Sequence, residues 1–404
     1  MAKPNIIMKQ NRRSFIKSGL IGAAGLATTG NRKLNLDTGP TDDKKVITRV
    51  LGKTGIELPV ISMGVMNSDN PNLFKRALKA GIVHFDTAHY YLQGNSERML
   101  GKILREVPRE SVVVATKVLP HEKDHSNGHL LPGSTKERFL EIFEESLVRL
   151  KMDQVDILYH HVVDSRQAAL YQPILDGLAE AKASGKTRFV GLSTHRNEVD
   201  VIDAAIETGM IDVVLAAINF KQEHYPQLKE AIARAADAGI GIIGMKNLAG
   251  GYLDEERQKP VNAKAALKWA LQDPNVTTVI PGVTTFDQLE TDLEVLTDIT
   301  MTEEEMNSLK MSGNEMGMYC QGCNRCSGSC TKNLPVPDLM RAYMYAYGYR
   351  NLEKAQSLLA DHNIKNNPCA GCTECKVTCA KGFPVAEKIK KVSRLSDVPR
   401  DLLV

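Results

Sequence analysis

Along residues 46–296, short apolar runs alternate with longer stretches whose apolar positions recur every three or four residues. The short runs lie at 59–65, 82–87, 111–118, 155–161, 187–194, 211–218, 240–246 and 276–281, are rich in valine and isoleucine, and predict strands. The stretches between them predict amphipathic helices. Over 135–151, Phe139, Ile142, Phe143, Leu147 and Leu150 share one face, and 263–272 has the same character. Eight β–α units with parallel strands make an α/β protein, most simply a (β/α)8 TIM barrel. A doubly wound open sheet is the alternative, but no G-x-G-x-x-G follows the first strand. Ahead of that strand, apolar positions at 49–51 and 56–58 flank Gly52-Lys53-Thr54-Gly55 and predict a hairpin plug.

The pattern breaks at both ends. Residues 31–45 are polar, with Gly, Pro and Asp, and read as a linker. Residues 1–30 carry Lys3, Lys9, Arg12, Arg13 and Lys17 without an acid, and 19–27 are apolar and rich in Gly and Ala. The run Arg12-Arg13-Ser14-Phe15-Ile16-Lys17 before that stretch resembles the twin-arginine export signal. The resemblance implies the twin-arginine machinery as a partner and a periplasmic location, with membrane anchoring if the segment is not cleaved. It suits an enzyme exported already folded around its cofactors. The formal charge of the 404 residues is +3, and most of the excess sits in this segment, so nucleic acid is not an expected partner. No run approaches the roughly 18–20 apolar residues of a transmembrane helix.

All eight cysteines lie after residue 319, in two copies of C-x2-C-x2-C-x3-C: Cys320, Cys323, Cys326, Cys330 and Cys369, Cys372, Cys375, Cys379. The flanking residues repeat as well, ending in Leu334-Pro335-Val336 and Phe383-Pro384-Val385, so the segment reads as a duplicated unit. Structural zinc sites use close pairs separated by a longer loop, and disulfide frameworks belong to small domains without a core. The spacing resembles the bacterial two-cluster ferredoxin, which implies two [4Fe–4S] clusters, each held by three cysteines of one motif and the fourth of the other. Here Thr331 and Ala380 stand where the ferredoxin pattern has proline. The expected organisation is therefore a signal segment at 1–30, a linker at 31–45, a barrel at 46–312 and a small α-helical ferredoxin-like domain at 313–404.

Chemistry on a barrel of this kind is expected at the carboxyl ends of its strands. The predicted second strand runs into Asp86 and Tyr91, the third ends at Lys117, the fourth at His160 and His161, and the fifth at Ser193, Thr194 and His195. An Asp–Lys core ion pair with a packing tyrosine would be the bland account of such residues. The combination F-D-T-A-x-x-Y at 85–91, A-T-K at 115–117, D-x-x-x-x-H at 156–161 and G-K-x-R-x-x-G-x-S at 185–193 resembles the aldo-keto reductase family, and together with the ferredoxin-like tail it resembles the iron–sulfur branch of that family. The resemblance implies an oxidoreductase that moves hydride between NAD or NADP and a carbonyl or alcohol. It makes Tyr91 the general acid, Lys117 the ammonium that lowers the Tyr91 pKa, Asp86 the holder of Lys117, and His161 the group that positions the carbonyl. His160 should face the other way along the strand.

The cofactor side departs from the family. Gly64, Met66 and Ser193 fit its contacts, but Thr194 replaces the usual asparagine, Leu215 replaces a glutamine, and Gly282 and Gln288 stand where a lysine and an arginine often hold a 2′-phosphate. Without that clamp, NAD and NADP stay equally open. His121, His125 and His129 at four-residue spacing sit in a glycine-containing polar loop and read as solvated, not as metal ligands. Tyr343, Tyr345, Tyr347, Tyr349 and Trp269 read as packing. The leading function is a periplasmic carbonyl or alcohol oxidoreductase, its substrate polar, such as a sugar or hydroxy acid, with two clusters able to serve a one-electron partner. The rival is an electron-transfer protein whose barrel is a non-catalytic scaffold.

Overall fold

The computed structural model describes residues 45–120, 122–124, 127–314 and 317–403. The signal-like segment at 1–30, nearly all of the linker, and His121 and His125 lie outside the described residues. Strand β1 (Thr48–Val50) pairs antiparallel with β2 (Glu57–Pro59). Eight parallel strands follow: β3 (Met63–Gly64), β4 (His84–Asp86), β5 (Val113–Val118), β8 (Val155–His160), β9 (Thr187–Thr194), β10 (Val213–Ala217), β11 (Gly241–Met245) and β12 (Val276–Val279), with a two-stranded hairpin of β6 (Lys123–Asp124) and β7 (His129–Leu130) after β5. Bridges Ile61↔Val279 and Gly64↔Gly282 bring the first strand beside the last, so the sheet closes as a (β/α)8 barrel. The first strand is shorter than predicted, because Pro59 at the head of the expected run belongs to the hairpin. His129 lies in that small hairpin, exposed, and not on a helix.

Strand alternation divides the apolar residues into two sets. Ala115, Ile157, Tyr159, Val213, Leu215 and Ile243 point inward and pack on Leu51, Ile56 and Leu58 of the hairpin, which plugs the amino-terminal end as predicted. Leu158, Val190, Leu192, Val214 and Ile242 point outward under the helices, in one core with Phe139, Ile142, Phe143 and Leu147 of the Lys136–Leu150 helix. The helix ends obey local rules: Thr135 caps that helix by accepting from Arg138 N, and Asn262 caps Ala263–Leu271 by accepting from Ala265 N. Trp269 packs against Tyr225 with ring centroids 4.4 Å apart, as a packing residue should.

After the Glu303–Asn314 helix the chain returns across the carboxyl-end rim. Val336–Tyr343, Leu352–Asp361 and Val385–Ser393 form helices around a second core of Val336, Leu339, Ala355, Leu359, Val385 and Ile389. The duplication visible in the sequence repeats in the backbone. After each fourth cysteine a turn closes (Asn333 N to Cys330 O, Gly382 N to Cys379 O, both 2.9 Å) through a residue of positive φ, and a proline then caps a helix. No helix among the described residues is long and apolar enough to cross a membrane.

Candidate active site at the covered barrel rim

Consecutive strand ends are tied to one another just above the sheet. Thr87 N donates to Ala115 O (2.9 Å), His89 N to Lys117 O (3.1 Å), His161 N to Val118 O (2.8 Å) and Val163 N to Ser193 O (2.8 Å). These bonds set Asp86, Tyr91, Lys117 and His161 side by side although 75 residues separate the first from the last in sequence. Lys117, only 1% exposed, forms an ion pair with Asp86 and donates to Thr87 O at 2.7 Å. Its ammonium stands 5.1 Å from the Tyr91 ring centroid, and the Tyr91 ring meets the His161 ring edge-on at 5.8 Å. His160 is buried on the other face of its strand, as expected, and neither of its ring nitrogens has a partner among the described residues.

Electrostatics follow from burial. It pushes the Asp86 carboxyl up and the Lys117 ammonium down, and each is held back by the charge of the other. It also drives His161 well below the usual imidazole range, helped by Lys117 and His195, so His161 is neutral. In the resting site Tyr91 does not show the lowered pKa expected from a neighbouring Lys117. Burial first, then the neighbouring Tyr90 and Asp86, hold Tyr91 well above the ordinary phenol value. Tyr91 nevertheless keeps some accessible surface. Close to it, Asp86 Oδ2, His161 Nδ1 and His195 Nδ1 are buried without a hydrogen-bond partner among the described residues.

The rim backbone is strained where these groups sit. Leu92 and Gln93, directly after Tyr91, both have positive φ, as do Val162 after His161 and Lys246 at the end of β11. Left-handed backbone is costly for a β-branched residue such as Val162, and here it places the Val162 amide so that it donates to Ser193 Oγ at 3.2 Å.

The expected cofactor contacts are distributed unevenly. Ser193 accepts from Val162 N and keeps its own hydroxyl proton to give. Thr194 spends its proton on Arg196 O. Leu215 pairs with Ser193 across β10 and β9 and is fully buried in the barrel interior. Gly64 donates to Pro281 O (3.0 Å), Met66 is half-buried beside the second core, and Gly282 is exposed. Gln288 is committed to a capping box with Thr285 at the start of the Phe286–Thr297 helix. No lysine or arginine replaces it there, and nearby Asp292 is buried and held well above the usual carboxylate range by that burial.

Sequence reasoning missed how much of this rim the cysteine-rich segment supplies. Gly322 approaches so closely that a Cβ there would stand 2.7 Å from His195 O, and one on Gly250 would stand 2.2 Å from the Tyr319 ring. Arg196 pairs with Asp338 (3.3 Å), Asn351 donates to Asn67 (2.8 Å), and the Lys354 ammonium lies 3.9 Å from the Tyr90 ring centroid. Tyr345 is buried within electrostatic reach of Tyr91. Only Lys246 carried a usable signal, since a lysine at the carboxyl end of a barrel strand is in the right place for chemistry.

The eight thiols are free. Among the described residues no three His, Cys, Asp or Glu side chains converge on a point that would hold a single metal ion. They nonetheless sort into two groups. Burial raises Cys320 and Cys326, the latter to about 12, and Cys323 and Cys379 act on both as charged neighbours. Burial likewise raises Cys369, whose neighbours are Cys372, Cys375 and Cys330. In each group three thiols come from one motif and the fourth from the other.

A closed α/β barrel with a buried Asp–Lys pair, a tyrosine and a neutral histidine at its carboxyl-end rim is the architecture of a carbonyl-reducing oxidoreductase. The sequence pattern of the Aldo/keto reductase family matches residues 63–265 and 261–313, and the chain belongs to that family. It is similar to L-galactose dehydrogenase of Arabidopsis thaliana, 26% identical over 295 residues that span 63% of this chain and 89% of the relative. It is also similar to L-glyceraldehyde 3-phosphate reductase of Escherichia coli (strain K12), 24% identical over 64% of this chain and 90% of that one. An aldo-keto reductase from Bacillus halodurans superposes with a TM-score of 0.55 at 20% identity, covering 66% of this chain and 96% of its own, a likeness of fold. The chain is an oxidoreductase of the aldo/keto reductase type. Its cysteine-rich segment lies beyond the matched residues.

Proposed function

We propose that the barrel interconverts a carbonyl compound and its alcohol with NAD(H) or NADP(H), and that the cysteine-rich segment carries two [4Fe–4S] clusters. The observation that carries the first part is the buried Lys117–Asp86 pair beneath Tyr91, with the unpartnered Nδ1 of neutral His161 beside it. When bound, the nicotinamide supplies or accepts the hydride at the carbonyl carbon. His161 donates to or orients the carbonyl oxygen, and Tyr91 gives that oxygen its proton. Burial keeps Tyr91 protonated until that moment, and Lys117 then steadies the phenolate. Ser193 suits the carboxamide. Gly282 and Gln288 themselves offer no charge to a 2′-phosphate, and nearby Arg76 is paired with Glu290, so the protein should not prefer NADP over NAD. The two crossed groups of thiols support cubane ligation by Cys320, Cys323, Cys326 and Cys379 and by Cys369, Cys372, Cys375 and Cys330. Arg12 and Arg13 support export to the periplasm by the twin-arginine route.

Tyr91→Phe tests the catalytic assignment. Carbonyl reduction should fall by roughly 10²–10⁴-fold with dinucleotide binding retained, and activity that survives would assign the acid elsewhere. A second reading, electron transfer with an inactive barrel, is favoured by Leu215 and by the cover over the rim. Equilibrium dialysis of the purified chain against NAD and NADP separates the two, since a scaffold would bind neither.

A further inference from the structure

Cations gather where the cysteine-rich segment meets the barrel rim, and two of them have no carboxylate of their own. Lys246 leaves β11 in left-handed backbone, φ 59°, and its ammonium lies 5.0 Å from the Tyr345 ring centroid and 4.8 Å from that of Tyr349. Arg341, on the Val336–Tyr343 helix, lines the same cavity, together with His195, Asn219, Gln321 and Cys320. Neither Lys246 nor Arg341 makes a side-chain hydrogen bond or ion pair with any described residue.

The acids within reach are already engaged. Asp164 pairs with Lys123 and Arg196, and Asp338 pairs with Arg196 and His362. Asp164 and Asp338, with Tyr345 and Cys320, keep Arg341 charged against the effect of burial. Those two carboxylates therefore answer to Lys123, Arg196 and Arg341 before Lys246 is counted. Burial, and then the like charges of Arg341 and Lys354, push Lys246 down to about 7. Excess positive charge enclosed in protein is costly without a counter-ion, and an anion entering this cavity would relieve it.

We propose that this cavity binds an oxyanion, the carboxylate of an anionic carbonyl substrate, with Lys246 from the barrel and Arg341 from the cysteine-rich segment as its clamp. The cavity, about 40 Å³, has roughly the room of three waters, which suits a carboxylate and not a ring. His195 connects it to the catalytic edge: its ring centroid lies 6.3 Å from that of His161, which lies 5.8 Å from that of Tyr91. The proposal rests on the reading of Tyr91 and His161 as the carbonyl site, and it makes the cysteine-rich segment part of substrate recognition.

The test uses the full iron-loaded chain under anaerobic conditions. Succinate is the unreactive probe, measured by calorimetry, and the reactive pair is 4-oxobutanoate against butanal. Lys246→Gln and Arg341→Gln should each weaken succinate binding about 10–100-fold, the worth of a hydrogen bond to a charged group. Preference in kcat/KM for 4-oxobutanoate over butanal should fall by the same factor, while NAD binding stays as it was. Lys246→Arg and Arg341→Lys should keep most of the binding, and they carry the test if a glutamine variant does not fold. Succinate that fails to bind the parent protein, or binds the glutamine variants equally well, overturns the proposal. So does an equal loss of NAD binding, which would assign the cations to the dinucleotide phosphates. Succinate binding that the variants lose, without reduction of any aldehyde, would uphold the anion site and remove the carbonyl-reductase reading instead. Butanal reduced as well as 4-oxobutanoate by the parent protein would do the reverse.

Discussion

Replacing Asp86 by Asn leaves Lys117 as a buried ammonium without its counter-charge. Lys117 is 1% exposed, so water cannot take the place of the carboxylate, and its remaining hydrogen bond is to the carbonyl of Thr87 at 2.7 Å. Glu97 also acts on Lys117, but its carboxylate is spent on Thr116 and Arg149 (both 2.6 Å). Breaking a buried pair by removing one partner typically costs about 3–5 kcal/mol, because the survivor is desolvated and unpaired. Asp86→Asn should therefore lose about that much in guanidinium unfolding. With Asp86 gone, nothing comparable opposes the burial that already lowers Lys117, so its pKa should fall further. Lys117→Met in the Asp86→Asn background removes the stranded charge and should recover at least about 2 kcal/mol of the loss, a coupling expected of groups in contact. Carbonyl reduction should be low in these two variants and in Lys117→Met alone, since none can stabilise the Tyr91 phenolate. A loss under about 1 kcal/mol for Asp86→Asn, or losses that simply add in the double variant, would refute the account of this pair.

Acid should destabilise the barrel through His84 and His160, buried without partners for either ring nitrogen and pushed by burial to about 4 and about 3. Below pH 6.5 the unfolded chain takes up these protons and the folded one refuses them, so stability falls with pH. Between pH 7 and 5 each histidine should cost about 2 kcal/mol, and His160→Leu should flatten the pH dependence of urea unfolding by that amount, whereas parallel curves would contradict it. Anaerobically purified protein should hold about eight irons and eight labile sulfides, and Cys379→Ser should perturb the cluster held by Cys320, Cys323 and Cys326; about four irons, or zinc, would sink the crossed arrangement. Changing Arg12 and Arg13 together to Lys should leave the protein in the cytoplasm, and normal periplasmic levels would rule out the twin-arginine assignment.

Much of the barrel was legible because its signals are local. Alternation in 155–161 and 187–194 marked strands that form with nearly those bounds, and Thr135 and Asn262 begin helices as capping residues do. Asp86, Tyr91, Lys117 and His161 were legible because a barrel gathers its strand ends whatever their spacing in sequence. Other features depend on packing that no local pattern encodes. The Tyr91 pKa was misjudged because its sign is set by burial, with Tyr345, more than 250 residues away, among the groups that add to it. Pro59 was assigned to the first barrel strand because it continues an apolar run, yet pairing with Thr48 takes it into the hairpin. The meeting of Lys246 with Arg341 required knowing where the cysteine-rich segment lands. The duplicated motifs announced a second unit without saying which of its residues would reach the rim.

The central claim is that Tyr91 and His161 present a carbonyl to a nicotinamide hydride. The most direct measurement supplies the full chain with NADH and NADPH deuterated at the transferring position of C4, together with a panel of aldehydes including 4-oxobutanoate. The alcohol formed is then examined by mass spectrometry. One deuterium on the former carbonyl carbon, lost with turnover in Tyr91→Phe, is the predicted result. Alcohol formed without the label, or labelled alcohol formed as fast by Tyr91→Phe, would contradict the account.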